Sequence, residues 1–106
     1  MIGCYAQTEL GHGSNIRGLM TTATYLPESD SFSLNTPDLM AIKFWPGSLG
    51  VTSNHAVVIA DLRIEGRSYG NHNFLVQLRD YDTHKLREVS LRSHSSLNKY
   101  FTVMKW

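Results

Sequence analysis

Hydrophobic and polar positions alternate in short stretches over residues 1 to about 85, with turn-forming residues between the stretches. Thr, Tyr, Phe, Val and Ile are interrupted at short intervals by Gly, Pro, Asn and Asp. This pattern is typical of a chain of short strands, and it predicts a mainly β fold, a small antiparallel barrel or sandwich. The predicted strands are Ile2–Thr8, Thr21–Tyr25, Phe32–Leu34, Met40–Trp45, His55–Arg63 and Phe74–Leu78, with a turn at Pro27–Asp30 and another at Glu65–Gly66.

The last segment has a different period. Leu97, Tyr100, Phe101 and Met104 fall at i, i+3, i+4 and i+7, which is the spacing of one helix face. The spacing predicts a short C-terminal helix, although a stripe of this length also arises by chance. We therefore divide the chain into a β domain over 1–85 and a divergent tail over 86–106.

Composition narrows the class of protein. Ten Lys and Arg against nine Asp and Glu leave a formal charge of +1 over 106 residues. That balance argues against a surface built for nucleic-acid phosphates or anionic membranes, and no apolar run reaches the roughly 20 residues of a membrane span. The first nine residues lack the basic flank and apolar stretch of a secretion signal. A single cysteine, Cys4, excludes an intrachain disulfide and is expected to be a buried, unreactive thiol.

Generic catalytic and metal motifs are absent. The Gly11-x-Gly13 pair lacks the third glycine of a dinucleotide fingerprint, and there is no GxxxxGK[ST] phosphate loop. None of the five histidines has the paired spacing of a zinc site. We expect no metal site, and structural or surface roles for the histidines.

Two polar glycine loops remain as candidate binding sites, one after each of two apolar stretches. The first covers Tyr5–Asn15 and the second Lys43–Gly50. Glycine lets backbone N–H groups approach a ligand closely, while hydroxyl and amide side chains and a Trp ring offer hydrogen bonds and a flat surface. This inventory suits a planar heteroaromatic ring with polar edges and a phosphate. Two ordinary hairpin loops would show the same residues.

Several long stretches resemble the middle β-domain of the peroxisomal acyl-CoA oxidases, a branch of the acyl-CoA dehydrogenase superfamily. The resemblance implies an FAD-dependent oxidoreductase that converts an acyl-CoA and O2 into a trans-2-enoyl-CoA and H2O2, the first step of peroxisomal fatty-acid β-oxidation. It implies a peroxisomal location and dimeric assembly, although the chain's last three residues do not form an -SKL type address. The matching stretches are Tyr5–Asn15, Leu19–Tyr25, Lys43–Gly50, Ser53–Ala56, Tyr69–Gly70 and Phe74–Arg79.

The resemblance assigns four residues to the flavin. Thr8 matches the threonine that hydrogen-bonds the flavin, and Gln7 is the neighbour whose backbone borders the ring. Gly47 matches a glycine beside the isoalloxazine, where it leaves room for O2. Trp45 matches the aromatic residue that flanks the ring system.

The resemblance also assigns the acyl-CoA contact to Gly13 and Ser14, in the first glycine loop. It assigns no catalytic residue, because the general base of the family is a glutamate in a C-terminal helical domain that we expect this chain to lack. Neither Glu9 nor Asp61 matches that base. The similarity ends abruptly after Lys85, as it would in a splice variant or a truncated gene product. The expectation is an acyl-CoA oxidase segment that is inactive alone; the alternative is an inactive remnant that acts, if at all, as a protein-binding module.

Overall fold

Six strands form one sheet in the computed structural model, which describes residues 2–11, 13, 15–43, 47, 51–85 and 87, and the backbone of 100–103. The mainly β fold class is confirmed, and the helical elements of the described residues are two single 3-10 turns, Ile16–Gly18 and Leu39–Ala41. The strands are β1 (Gly3–Ala6), β2 (Thr22–Leu26), β3 (Ser31–Asn35), β4 (His55–Ile64), β5 (Arg67–Gln77) and β6 (Tyr100–Val103).

The long strand β4 organises the sheet, because it pairs with three other strands. β5 runs antiparallel along one edge, from the pair His55 and Gln77 to the pair Ile64 and Arg67. β1 and β2 share the opposite edge and both run parallel to β4, β1 along its first half and β2 along its second. The expectation of a purely antiparallel sheet is therefore wrong for these two ladders. The chain leaves the β4 edge after β1 and returns to the same edge in the same direction.

A tight turn explains how β4 and β5 form one long hairpin. Glu65 and Gly66 both have positive φ, 52° and 77°, and two positive φ angles in a two-residue loop match the right-handed twist of the flanking strands. β5 begins at Arg67, seven residues before the predicted strand at Phe74. The residues of its first half are polar and exposed, so they hid the strand from the hydrophobic pattern.

The C-terminal helix predicted over Leu97–Met104 is wrong where the structure describes that segment. Tyr100–Val103 is the strand β6, which pairs antiparallel with β3. Two physical reasons favour the strand: β3 has an edge that β2 does not use, and an aromatic and β-branched run favours extended backbone. Leu97 and Met104 lie outside the described residues.

The strand predicted over Met40–Trp45 is wrong at Met40 and Ala41, whereas Lys43 forms an isolated antiparallel β-bridge with Glu9. Leu39–Ala41 forms a 3-10 turn because the Asp38 carboxylate accepts hydrogen bonds from the backbone N–H of Met40 (2.7 Å) and Ala41 (3.2 Å). A short side chain that bonds to its own backbone in this way competes with strand pairing. The rest of that prediction, including Trp45, lies outside the described residues.

The hydrophobic core lies on one face of the sheet. Small alanines at its centre, Ala23, Ala56 and Ala60, are fully buried and leave room for the rings of Phe32 and Phe74, whose centroids lie 5.4 Å apart. The cluster also contains Leu34, Val76 and Leu78, with Cys4, Val58 and Leu62 packed against it. Cys4 is only half-buried, less than the sequence led us to expect.

The opposite face carries an apolar row that runs across three strands. Tyr5 pairs with Val57, and Val57 pairs with Leu75. Tyr5 is 56% exposed and Leu75 is 38% exposed. At this row the sheet is therefore less covered by the described residues than at the core around Leu34.

His55 has the structural role that we expected of a lone histidine. Its ring is buried, with Nδ1 2.9 Å from Asn54 Oδ1 and Nε2 3.0 Å from the Tyr81 hydroxyl. Asn54 Oδ1 also accepts from the backbone N–H of Ile2, so it is an acceptor, and His55 donates from Nδ1 and accepts at Nε2. Burial lowers the pKa of His55, which favours this neutral form at neutral pH.

The two faces of the sheet give a matched test of the core. Leu34→Ala should lower the free energy of unfolding by about 2–5 kcal/mol, since Leu34 is 2% exposed and its removal leaves a cavity. Leu75→Ala, the same change on the open face, should cost clearly less. Chemical denaturation of both variants measures the difference; equal losses would contradict the assignment of the core to one face.

Candidate functional site

The two glycine loops share a stem. After β1 the chain turns and lies antiparallel to the segment that precedes Gly47. The backbone N–H of Leu10 donates to the Ile42 carbonyl (3.1 Å), and that of Gly11 donates to the Met40 carbonyl (2.9 Å). Two loops that are far apart in sequence are thereby fixed side by side.

A buried carboxylate lies at the centre of this stem. Glu9 is 1% exposed. Its Oε1 accepts hydrogen bonds from the hydroxyl (2.6 Å) and backbone N–H (2.9 Å) of Thr21, and from Lys43 Nζ (3.1 Å). Its Oε2 accepts from the backbone N–H of Met20 (2.7 Å). One side chain thus joins the start of the loop between β1 and β2, the end of that loop, and the second glycine loop.

Burial acts on both charges of this ion pair, but with different outcomes. Burial alone would raise the pKa of Glu9, yet the hydrogen bonds from Thr21, Met20 and Lys43 outweigh it, and the pKa lies below its ordinary value. Burial lowers the pKa of Lys43, and its attraction to Glu9 offsets only part of that effect. The difference follows from the number of partners. The carboxylate has four donors, whereas the ammonium has two acceptors.

Lys43 makes its second contact with the segment that carries two of the predicted flavin residues. Its Nζ donates to the backbone carbonyl of Gln7 at 2.9 Å. The Gln7 side chain accepts from the Tyr5 hydroxyl (2.9 Å). Thr8 is half-buried and follows directly, and no described residue hydrogen-bonds to its hydroxyl or its N–H. Thr8 therefore presents a donor and an acceptor on a fixed backbone.

The remaining predicted site residues are placed less completely. Gly13 and Gly47 are exposed, and a Cβ added to either would meet no atom of the described residues within 4 Å. In the described part of the chain, no hydrogen bond connects either glycine to Thr8. Ser14 and Trp45 lie outside the described residues.

Glu9 and Lys43 are the site residues that the sequence analysis missed. Each had a signal: Glu9 is a lone carboxylate at the end of an apolar strand, and Lys43 is a lone cation after an apolar run. Two isolated opposite charges beside apolar stretches are candidates for a buried pair, since neither is stable in the interior alone.

Two broader searches of the described residues were negative. They contain no cluster of three or more His, Cys, Asp or Glu side chains placed to hold a metal ion. No helix among them is long and apolar enough to cross a membrane.

Comparison with known proteins identifies the homologous family. No protein-family model matches the chain. Among curated proteins, it is 62% identical over 84 residues to acyl-coenzyme A oxidase acox-1.4 of Caenorhabditis elegans, covering 79% of this chain and 13% of that protein. It is 58% identical over 85 residues to human peroxisomal acyl-coenzyme A oxidase 1, covering 80% of this chain and 13% of that protein.

Solved structures give the same result. The crystal structure of Caenorhabditis elegans acyl-CoA oxidase-1 complexed with FAD and ATP matches at a TM-score of 0.81 and 52% identity, over 84% of this chain and 14% of that one. Acyl-CoA oxidase-2 of the same organism, bound with FAD, ascaroside-CoA and ATP, matches at a TM-score of 0.82 and 46% identity, over 98% of this chain and 17% of that one.

The fold and the sequence together show that the chain is homologous to a β segment of the acyl-CoA oxidases. More narrowly, it is homologous to one region of the peroxisomal acyl-CoA oxidases, and it spans about 13% of the length of the curated relatives it matches.

The shared stem is tested by a pair of glycine substitutions. Gly11→Ala should destabilise the fold by about 1–3 kcal/mol, because the new Cβ would lie 3.1 Å from Met40 Cβ and 3.4 Å from the Met40 carbonyl oxygen. Gly13→Ala, a control that meets open space, should cost much less. Thermal unfolding of both variants distinguishes the two; a harmless Gly11→Ala would contradict the close approach of the two loops.

The buried carboxylate predicts a pH dependence of stability. The pKa of Glu9 in the folded chain is below its ordinary value of 4.5, so the unfolded chain binds the proton more readily. The stabilisation is complete above that value and is lost as pH falls through the folded-state pKa. Unfolding free energies measured from pH 7 downward should fall less steeply in Glu9→Gln than in the unsubstituted chain. Glu28→Gln, in an exposed turn, is the control and should keep the pH dependence of the unsubstituted chain. If Glu9→Gln also keeps that pH dependence, Glu9 is not the group whose protonation lowers the stability.

Proposed function

We propose that this chain supplies flavin and acyl-CoA contacts to an acyl-CoA oxidase, which oxidises an acyl-CoA with O2 to a trans-2-enoyl-CoA and H2O2. The observation that carries the proposal is the presentation of Thr8. Its peptide is held by a buried ion pair, at a position where the resemblance assigns a flavin hydrogen bond. Homology to oxidases whose structures hold FAD supports the same cofactor here.

The described residues fit the polar edge of a flavin. That edge carries hydrogen-bond acceptors and a donor, and Thr8 offers a hydroxyl and an N–H that no described residue uses. Gln7 precedes it with its carbonyl already engaged by Lys43. At Gly47 no described atom lies within 4 Å of the place where a side chain would begin, which suits a flat ring close to the backbone. We assign Trp45 to the flank of the ring system from the resemblance alone.

The acyl-CoA contact is assigned to Gly13 and Ser14. Gly13 is exposed within the loop between β1 and β2, so its backbone is accessible to a ligand. One relative of known structure binds ascaroside-CoA, which supports a CoA thioester as the substrate class. By the same homology we propose a peroxisomal location, and a flavin domain over 1–85 followed by a divergent tail over 86–106.

The residues described here bind and orient, and they leave proton abstraction to another part of the enzyme. When bound, FAD would supply the acceptor for the two electrons that leave the acyl chain and the donor of those two electrons to O2. Glu9 is unsuited to be the general base, because its carboxylate is buried, accepts four hydrogen bonds and has a lowered pKa. Asp61 is bonded to Arg63 (2.6 Å) and Ser68 (2.6 Å). We infer that this chain has no oxidase activity by itself.

Flavin binding is measured directly by titrating the purified chain with FAD and following flavin fluorescence. Thr8→Ala should weaken binding by about 0.5–1.5 kcal/mol, the contribution of one hydrogen bond. Thr8→Ser, which keeps the hydroxyl, should restore most of the loss. If Thr8→Ala binds FAD as tightly as the unsubstituted chain, Thr8 is not the flavin contact.

Catalysis is assayed separately, with a long-chain acyl-CoA and a peroxide readout. The expected result is bound flavin and no peroxide above the background of free FAD. Peroxide formed by the chain alone would contradict the inference that it lacks the general base.

The second candidate function is protein binding without flavin. The cross-strand row of Tyr5, Val57 and Leu75 favours it, because Tyr5 and Leu75 are exposed and apolar rows at a protein surface often mark contact sites. The FAD titration separates the two functions, because a protein-binding remnant would show no saturable flavin binding.

A further inference from the structure

The hydrogen bond from Lys43 to Gln7 sets the direction of one peptide group. Lys43 Nζ lies 2.9 Å from the Gln7 carbonyl oxygen, and none of the described peptide bonds is cis. In a trans peptide the C=O and the following N–H point in opposite directions. A carbonyl held toward Lys43 therefore turns the Thr8 N–H away from it, toward the side where no described residue bonds to Thr8.

The Lys43 side chain is itself held in place. Its side chain is 12% exposed and that of its partner Glu9 is fully buried, so the long lysine stem lies in the interior instead of moving freely in water. Glu9 in turn is fixed by donors on Met20 and Thr21. The position of the ammonium is thus determined by the backbone at the end of the loop between β1 and β2.

We propose that Lys43 is a positioning residue for the cofactor: through the Gln7 carbonyl it orients the Gln7–Thr8 peptide, and Glu9 holds the ammonium that does so. The inference rests on the proposed function, since it assigns Lys43 a role toward the flavin that Thr8 contacts. Lys43 acts in this role through the peptide, which it contacts at the Gln7 carbonyl oxygen. It also makes the orientation of Thr8 depend on the loop that leads to Gly47.

The chain provides a matched control pair. Arg63 and Asp61 form a second ion pair, at 2.6 Å, with the Arg63 side chain 44% exposed. This pair lies on β4 and makes no described contact with Gln7 or Thr8. Removing it costs an ion pair without touching the peptide that we assign to flavin positioning.

The experiment compares Lys43→Met, Lys43→Arg and Arg63→Met in the full 106-residue chain. Three quantities are measured on each: the FAD dissociation constant, the melting temperature, and the NMR shifts of the Gln7 carbonyl carbon and the Thr8 amide nitrogen without FAD. Lys43→Met should shift both resonances and weaken FAD binding by about tenfold. Lys43→Arg retains a donor and should recover part of both effects. Arg63→Met should change neither.

The outcomes separate this inference from the proposed function. Shifted Gln7 and Thr8 resonances in Lys43→Met, with FAD binding weakened beyond any loss in Arg63→Met, support both the positioning role of Lys43 and the flavin function.

The two claims separate if the unsubstituted chain binds no FAD. If the Gln7 and Thr8 resonances still move in Lys43→Met and Lys43→Arg restores them, the orienting role of Lys43 stands and the flavin function of the isolated chain fails. Unchanged resonances in a folded Lys43→Met chain overturn the inference, as does FAD binding that is unaffected while the resonances move. Should Lys43→Met not fold, Lys43→Arg decides by the same readouts: a moved Gln7 carbonyl resonance together with a reduced FAD affinity supports the inference. A change in one of these two quantities without the other, or in neither, overturns it.

Discussion

The need of one buried carboxylate for hydrogen-bond donors organises the candidate site. An ionised Glu9 in the interior is tolerated only with its lone pairs occupied, and the chain supplies donors from three separate places: the Met20–Thr21 backbone, the Thr21 hydroxyl and Lys43. Satisfying Glu9 therefore draws together the start and end of the loop between β1 and β2, and the segment before Gly47. Removing one of these donors would leave the buried Glu9 carboxylate partly unsatisfied. The two glycine loops are therefore coupled through the Glu9 side chain.

The sheet gives this network its frame. β4 is paired with β5 along one edge and with β1 and β2 in succession along the other. Two strands that share one edge must leave between them a stretch where the chain turns away, and the Gln7–Met20 segment is that stretch. The candidate site lies between the end of the β1–β4 pairing and the start of the β2–β4 pairing. Backbone groups in this stretch are not used for strand pairing with β4.

The sequence predicted the parts of this arrangement that depend on local pattern. Strand residues such as Ala56–Ala60, the turn at Glu65–Gly66 and the family resemblance of the Thr8 loop were all visible in one dimension. The parallel ladders, the β6 strand and the Glu9–Lys43 pair were not. They depend on which strand edges remain free and which charges meet after folding. Tyr100 and Phe101 have helical spacing in the sequence, but they form a strand because the edge of β3 is open for pairing. Asp38 likewise overrode an apolar run through its bonds to the backbone of Met40 and Ala41.

The shared edge of β4 has an evolutionary consequence. Because β1 and β2 take their registers independently from the same strand, the loop between them can gain or lose residues without shifting any side chain to the wrong face of the sheet. Its ends are fixed by Glu9, and Asn71 holds the Ile16 carbonyl at 2.7 Å. Insertions and deletions are therefore least costly after Gly11 and before Ile16, in the stretch that contains the proposed acyl-CoA contacts Gly13 and Ser14. Substrate preference could diverge there while the residues that orient Thr8 stay unchanged.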